Sequence, residues 1–302
     1  MRLGLCCIFV EQPIKFRTTT VTSIAKMDRK DAINKISGLC LDNSKSLTEA
    51  IKYCHENGIG CYRIGSRMWP VKTHDTVGYE LSDLPDHQEI IFNLQKAGEY
   101  AKQNNVRLVF HPDQFVVLNS NSPQVIESSI KEIEYHADVA ELVGADVINI
   151  HGGNSKPDKK SALDSFAMTF NKLSMRARKM LTVENDDITY TPEDLLPLCD
   201  NLAIPLVYDI HHHRCNQDRF SCEEASELAV KTWNREPLFH LSSPISAYGQ
   251  KDARAHHDFI DVNDFPSFWF DKSITVEVEA KAKENAISKL KADFVKMGIR
   301  IY

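Results

Sequence analysis

The stretch whose reading decides the fold is DVINIHGG, residues 146–153. Its VINI core lacks the polar–apolar alternation of a half-exposed strand, as does LVYDI at 206–210. That is the pattern of a parallel strand covered on both faces. The run stops at His151, and Gly152 and Gly153 follow, leaving room for a backbone or ligand to approach closely. An imidazole at the carboxyl end of a buried strand is poorly explained by packing. The arrangement recurs outward in both directions: RLVFHPDQF at 107–115 ends in His111, LTVEND at 181–186 in Glu184, and LVYDIHHH at 206–213 in Asp209 with His212. PLFHLSS at 237–243 carries His240, and ITVEVEA at 274–280 carries Glu279.

Strand and helix signals alternate along the chain. Strands are predicted at 2–9, 61–66, 107–111, 146–151, 181–185, 206–210, 238–242 and 274–279, with helices at 46–57, 87–104, 123–143, 161–179, 192–200, 222–232 and 282–297. Ser46, Ser122 and Ser161 are candidate N-caps, and Pro123 and Pro192 suit first-turn positions. Residues 10–45 and 243–272 break the alternation, and loops that long are functional or mobile. The expected fold is α/β: a single (β/α)8 TIM barrel, residues 1–302 forming one domain. Such a barrel gathers the carboxyl ends of its strands on one face, so the metal-binding side chains fall there together.

Composition permits this. Hydrophobic residues make up 42% and charged residues 26%, ordinary for a soluble globular chain. The net charge of −6 argues against a protein that coats nucleic acid non-specifically. Three divalent cations would cancel it, leaving any DNA contact to local basic loops. No run approaches the roughly 20 apolar residues of a membrane span. The eight cysteines form no C-x-x-C pair, and the apolar start, Leu3 to Val10, reads as a strand and not as a signal peptide. A reducing, intracellular (cytoplasmic) setting is expected.

Each strand-end residue has a bland reading. A lone His111 is more often a structural hydrogen bonder, and a carboxylate such as Glu184 needs only a pairing partner once buried. Asp209 and His212, three residues apart, are close enough to share a cation; in the HHH run at 211–213, His212 is the inward candidate and its neighbours stay open. Together the six strand ends point to a polynuclear metal site. Imidazole and oxygen donors without thiolate suit Mn²⁺, Zn²⁺, Mg²⁺ or Fe²⁺. A bridging carboxylate such as Glu184 can hold two ions roughly 3.5–4 Å apart, as in-line attack on a phosphate requires. Further candidates lie on loops of the same face: Arg67, Trp69, Lys72 and His74; the basic SKPDKK at 155–160; and Lys251, Arg254, His256 and His257. Gln114 and Phe115 form an amide–aromatic pair suited to wedging into a base stack.

These residues carry a resemblance that runs almost end to end. RLG at 2–4, R-I-G-S…P…H at 63–74, HPDQF at 111–115, HGG at 151–153, END at 184–186, D-x-x-H at 209–212, H-x-S-S at 240–243, RAHHD at 254–258 and VEAKAKENAI at 278–287 stand in order. In these the chain resembles the UV damage endonucleases, relatives of endonuclease IV and of the xylose-isomerase-like barrels. The resemblance implies up to three divalent ions, Mn²⁺ favoured over Zn²⁺ or Mg²⁺. It implies incision of damaged double-stranded DNA immediately 5′ to cyclobutane dimers and 6-4 photoproducts. By matching position it implies His74, His111, His151, Glu184, Asp209, His212, His240, His256 and Glu279 as ligands, with Glu184, Asp209 and Glu279 carrying catalysis. Gln114 and Phe115 match the lesion-probing pair, and Arg67, Lys156 and Arg254 are candidate backbone contacts. There are departures: Leu238 stands where some members place a modifiable lysine, Leu5 where some place an aromatic, and Phe115 where a tyrosine is familiar. The loop after strand one also differs. An apurinic-site endonuclease is the nearest alternative and a metal-dependent sugar isomerase a more distant one. A monomer that embraces a duplex is the simplest assembly.

Overall fold

The computed structural model describes residues 1–299. Its eight strands, all parallel, close into a barrel in sequence order. They are β1 (Arg2–Cys6), β2 (Cys61–Ile64), β3 (Arg107–Phe110), β4 (Val147–His151), β5 (Leu181–Glu184), β6 (Leu206–Asp209), β7 (Leu238–Leu241) and β8 (Thr275–Val278), the last pairing back onto the first. Outside lie α1 (Val21–Ile24), α2 (Arg29–Glu56), α3 (His87–Gln103), α4 (Pro123–Val143), α5 (Lys159–Phe170), α6 (Met175–Met180), α7 (Pro192–Leu202), α8 (Ile210–Cys215), α9 (Cys222–Lys231) and α10 (Lys283–Lys296). The expected (β/α)8 architecture holds.

The register does the positioning. His151 lies beside Glu184 across β4 and β5, and Asp209 beside His240 across β6 and β7. Beneath them an apolar layer of Cys61, Val109, Val147, Val207 and Leu238, all fully buried, fills the barrel. The strands end one to three residues earlier than expected at most of their carboxyl ends. In β1 the reason is local: the chain turns at Cys7, whose φ is +64°, so the strand never reaches residue 9.

Four helix expectations need correction. α2 starts at Arg29, not at 46, and its N-cap is Asp28, whose carboxylate accepts the Asp31 N–H at 3.0 Å. Ser46 is mid-helix and donates instead to the Lys15 carbonyl at 2.9 Å. The inner face of α2 includes buried Ser37, Asn43 and Ser44, which hide the apolar periodicity. Asn43 makes that polarity useful: its amide donates to the Arg17 and Met68 carbonyls and accepts the Arg17 N–H, strapping the first long loop to the one after β2. The 161–179 helix is in fact α5 and α6, capped by Asp158 and Ser174, with Ser161 inside the first turn of α5. α8 was not anticipated. Ser122 and both prolines sit as expected, Pro192 behind a Thr191–Asp194 capping box. The 243–272 stretch is anchored by Trp269, which is fully buried and donates to Ser226 at 3.0 Å.

Candidate metal centre

Glu184, at the end of β5, is the hub and is 1% exposed. His111 Nε2 lies 3.0 Å from its Oε2, to which Asn149 also donates. Its Oε1 lies 3.1 Å from His240 Nδ1 and 3.3 Å from His212 Nδ1. Burial alone would raise the Glu184 pKa, but the histidines around it, His240 first, hold it well below the carboxylate range.

Asp209 ends β6 and is fully buried. Its Oδ1 accepts the His212 backbone N–H at 2.8 Å, and this cap turns the chain straight into α8. Each helical residue rotates about 100° from the last, so only one of three successive histidines faces the barrel axis. That one is His212. His211 bonds to Tyr248 and the Arg254 carbonyl, and His213 to Tyr208 and Asp218. Asp209 Oδ2 has no hydrogen-bond partner, although it lies 3.5 Å from His212 Nδ1 and 4.0 Å from His240 Nδ1. An orphaned buried oxygen costs about 1–3 kcal/mol, and a cation would satisfy it.

The donor atoms form three groups, each within 4.8 Å: His111–Glu184–His240, Glu184–Asp209–His212, and Asp209–His240–Glu279. Glu184, Asp209 and His240 each belong to two groups, as residues between neighbouring ions must. Burial opposes the His240 cation, yet Glu184 and Glu279 push its pKa up to about 10; His212 is raised for the same reason by Asp209 and Glu184. The carboxylates of the cluster thus favour protonated imidazoles in the absence of a cation, and divalent ions would compete for the same place. The residues present fit such ions.

The remaining expected ligands are graded by position. The His151 ring lies 5.2 Å from that of His111 and 5.9 Å from that of His212, and burial lowers its pKa, keeping it neutral as a ligand must be. His256 sits at the rim, its Nδ1 3.8 Å from Glu279 Oε2. His74 is not brought to the cluster: it is exposed, its Nδ1 accepts the Thr76 N–H at 3.2 Å, and it lines a groove with Asp113, Phe115 and Glu132. Phe115 is 77% exposed beyond β3, with Gln114 exposed beside it. Arg67, Lys156 and Arg254 are exposed on the loops after β2, β4 and β7. Trp69, another loop candidate, is instead buried against Tyr135.

A model of the family described as UV-endonuclease UvdE matches residues 1–299. The chain belongs to that family. It is 32% identical to a UV DNA damage endonuclease of Nostoc sp., over 96% of this chain and 89% of the relative. It is 31% identical to one from Bacillus mycoides, over 91% and 87%. The crystal structure of SacUVDE superposes with a TM-score of 0.87 at 27% identity, covering 99% of this chain and all of that one. Endonuclease IV from Thermus thermophilus shares the fold, with a TM-score of 0.64 at 14% identity.

Three residues of this UvdE family member escaped the sequence reading. Arg63 and Glu277 lie inside the barrel, 7% and 1% exposed, and Asn149 is fully buried between Glu184 and Thr182. Signals existed for each. Asn149 is the polar residue inside VINI, Glu277 shares a strand face with Glu279 by the two-residue period, and Arg63 belongs to RIGS. Leu238 packs in the apolar layer below the cluster, where it offers no donor.

Proposed function

We propose that this protein is a DNA repair endonuclease that nicks duplex DNA immediately 5′ to UV photoproducts, cyclobutane pyrimidine dimers and 6-4 photoproducts, using up to three divalent cations, manganese foremost. One observation carries the reading: three overlapping donor groups converge on one barrel face in a chain of the UV-endonuclease family. His111, His151, Glu184, Asp209, His212, His240, His256 and Glu279 are the proposed holders of the ions. Divalent ions supply, when bound, an activated water and charge stabilisation for the scissile phosphate and the departing 3′ oxygen.

The chain's own residues do the rest. Glu184, Asp209 and Glu279 provide the negative charge that selects cations, and Asn149 donates to the Glu184 carboxylate and helps hold its position. Phe115, 77% exposed, is placed to enter a stack that a lesion has already weakened, with Gln114 offering hydrogen bonds to a displaced base. Arg67, Lys156 and Arg254 supply positive charge that a backbone phosphate would meet. Among the described residues no helix is long and apolar enough to cross a membrane. An intracellular monomer acting on damaged duplex is the proposed setting.

The test is a nicking assay on a labelled duplex holding one cyclobutane dimer, one abasic site or no lesion, with Mn²⁺ and with chelator. Metal-dependent cutting 5′ to the dimer supports the proposal. Cutting only at the abasic site would replace it with an apurinic-site activity. Binding of metal without cutting of any duplex would return the barrel to small-molecule substrates.

A further inference from the structure

Glu277 stands on β8 directly beside His240 in the β7–β8 register. Its Oε2 lies 2.8 Å from His240 Nε2. The other ring nitrogen, Nδ1, faces the cluster: Glu184 Oε1 at 3.1 Å, Glu279 Oε1 at 3.4 Å and Asp209 Oδ2 at 4.0 Å. A neutral imidazole has one lone pair to offer, and the acceptor met by its other nitrogen decides which one carries the proton.

We infer that Glu277 is a positioning residue, accepting the Nε2 proton of His240 so that Nδ1 presents its lone pair to the cations held by Glu184, Asp209 and Glu279. Arg63 anchors Glu277, donating to the same Oε2 through Nε at 3.0 Å and Nη2 at 2.5 Å. Arg63 Nη2 also lies 2.9 Å from His240 Nε2, so the guanidinium competes for that nitrogen. Arg63 could donate there only to the opposite tautomer, with the proton on Nδ1. A cation at Nδ1 excludes that tautomer, because Nδ1 then gives up its lone pair and Nε2 carries the proton, leaving Glu277 Oε2 at 2.8 Å as its acceptor. Glu277 therefore sets the tautomer, and Arg63 sets Glu277. The inference rests on the metal-dependent reading above.

The decisive experiment is metal binding, read apart from cutting. Metal-free protein is titrated with Mn²⁺, the free ion is followed by electron paramagnetic resonance, and bound ions are counted by elemental analysis. Glu277→Gln, which keeps the shape, should weaken uptake roughly 10- to 100-fold, the usual effect of removing a partner of a ligating histidine. In a His240→Ala background the same substitution should add no further loss. Wild-type affinity in folded Glu277→Gln, or losses that multiply in the double variant, would overturn the inference and leave the proposed function standing. Failure of the wild-type chain to bind any ion would overturn both. Should the variant not fold, nitrogen-15 NMR of the Zn²⁺-loaded wild type reads the His240 tautomer directly. A proton on Nε2 supports the assignment, and a proton on Nδ1 ends it.

Discussion

His212 donates its backbone N–H to Asp209 Oδ1 at 2.8 Å, so a single carboxylate caps helix α8 and aims its second oxygen into the cluster. Asp209→Asn separates the two tasks. The amide oxygen can still cap, but the anionic Oδ2 becomes a neutral donor. Metal-free Asp209→Asn should melt within a few degrees of the parent, while ion uptake and incision fall at least about 100-fold. Asp209→Ala should also lose the cap, worth about 1 kcal/mol. Thermal melts beside a nicking assay check both, and an active Asp209→Asn would remove Asp209 from the ligand set.

The cluster's charge predicts a pH dependence with a definite sign. His240 is raised from 6.5 to about 10, and His212 is raised too. A raised histidine stabilises the fold fully below its unfolded pKa, and that stability drains away as pH climbs through the folded value. Metal-free protein should therefore lose stability steadily above about pH 6.5. Bound cations reverse the trend, because they compete with those same protons and bind more tightly as pH rises. Melting temperatures with chelator and with saturating Zn²⁺ should diverge between pH 6.5 and 9. Parallel curves would mean that the ions do not replace these protons.

Phe115 is 77% exposed, so its ring contributes little to the fold. Phe115→Ala should leave the melting temperature unchanged. A base–aromatic stack is worth about 1–3 kcal/mol, so the preference for dimer-containing over intact duplex should fall by about 5- to 150-fold. Competition binding with the two duplexes measures it. Equal preference in the variant and its parent would exclude the ring from lesion selection.

The barrel, and the meeting of its strand ends in the candidate centre, were legible because a closed parallel sheet leaves little freedom. Once VINIH, LTVE, LVYD and LFH are strands of one barrel, their ends must meet, and the register brings His151 beside Glu184 and Asp209 beside His240. What stayed hidden belonged to a different level. α2 buries serines and an asparagine, so hydrophobic periodicity could not find its first five turns. α8 is six residues long and owes its start to the Asp209 cap, which reads from sequence as just another ligand. Glu277 and Arg63 were passed over because a partner of a ligand is recognisable only once the ligand's second nitrogen has a direction.

The two rim histidines separate the family pattern from this chain's geometry. His256 stands 3.8 Å from Glu279, whereas the His74 Nδ1 is already engaged by its own turn, accepting from Thr76 at 3.2 Å. Swinging the His74 imidazole into the centre would give up that contact, while the backbone of the turn is closed tightly by Gly78: its N–H donates to the His74 carbonyl at 2.7 Å, and a Cβ there would meet the same oxygen. His256→Ala should therefore lower the number of ions retained after dialysis, or weaken the last to bind. His74→Ala should leave that number unchanged while altering the groove beside Phe115. Elemental analysis of both variants decides the matter, and loss of an ion from His74→Ala would show that the turn opens to let the imidazole in.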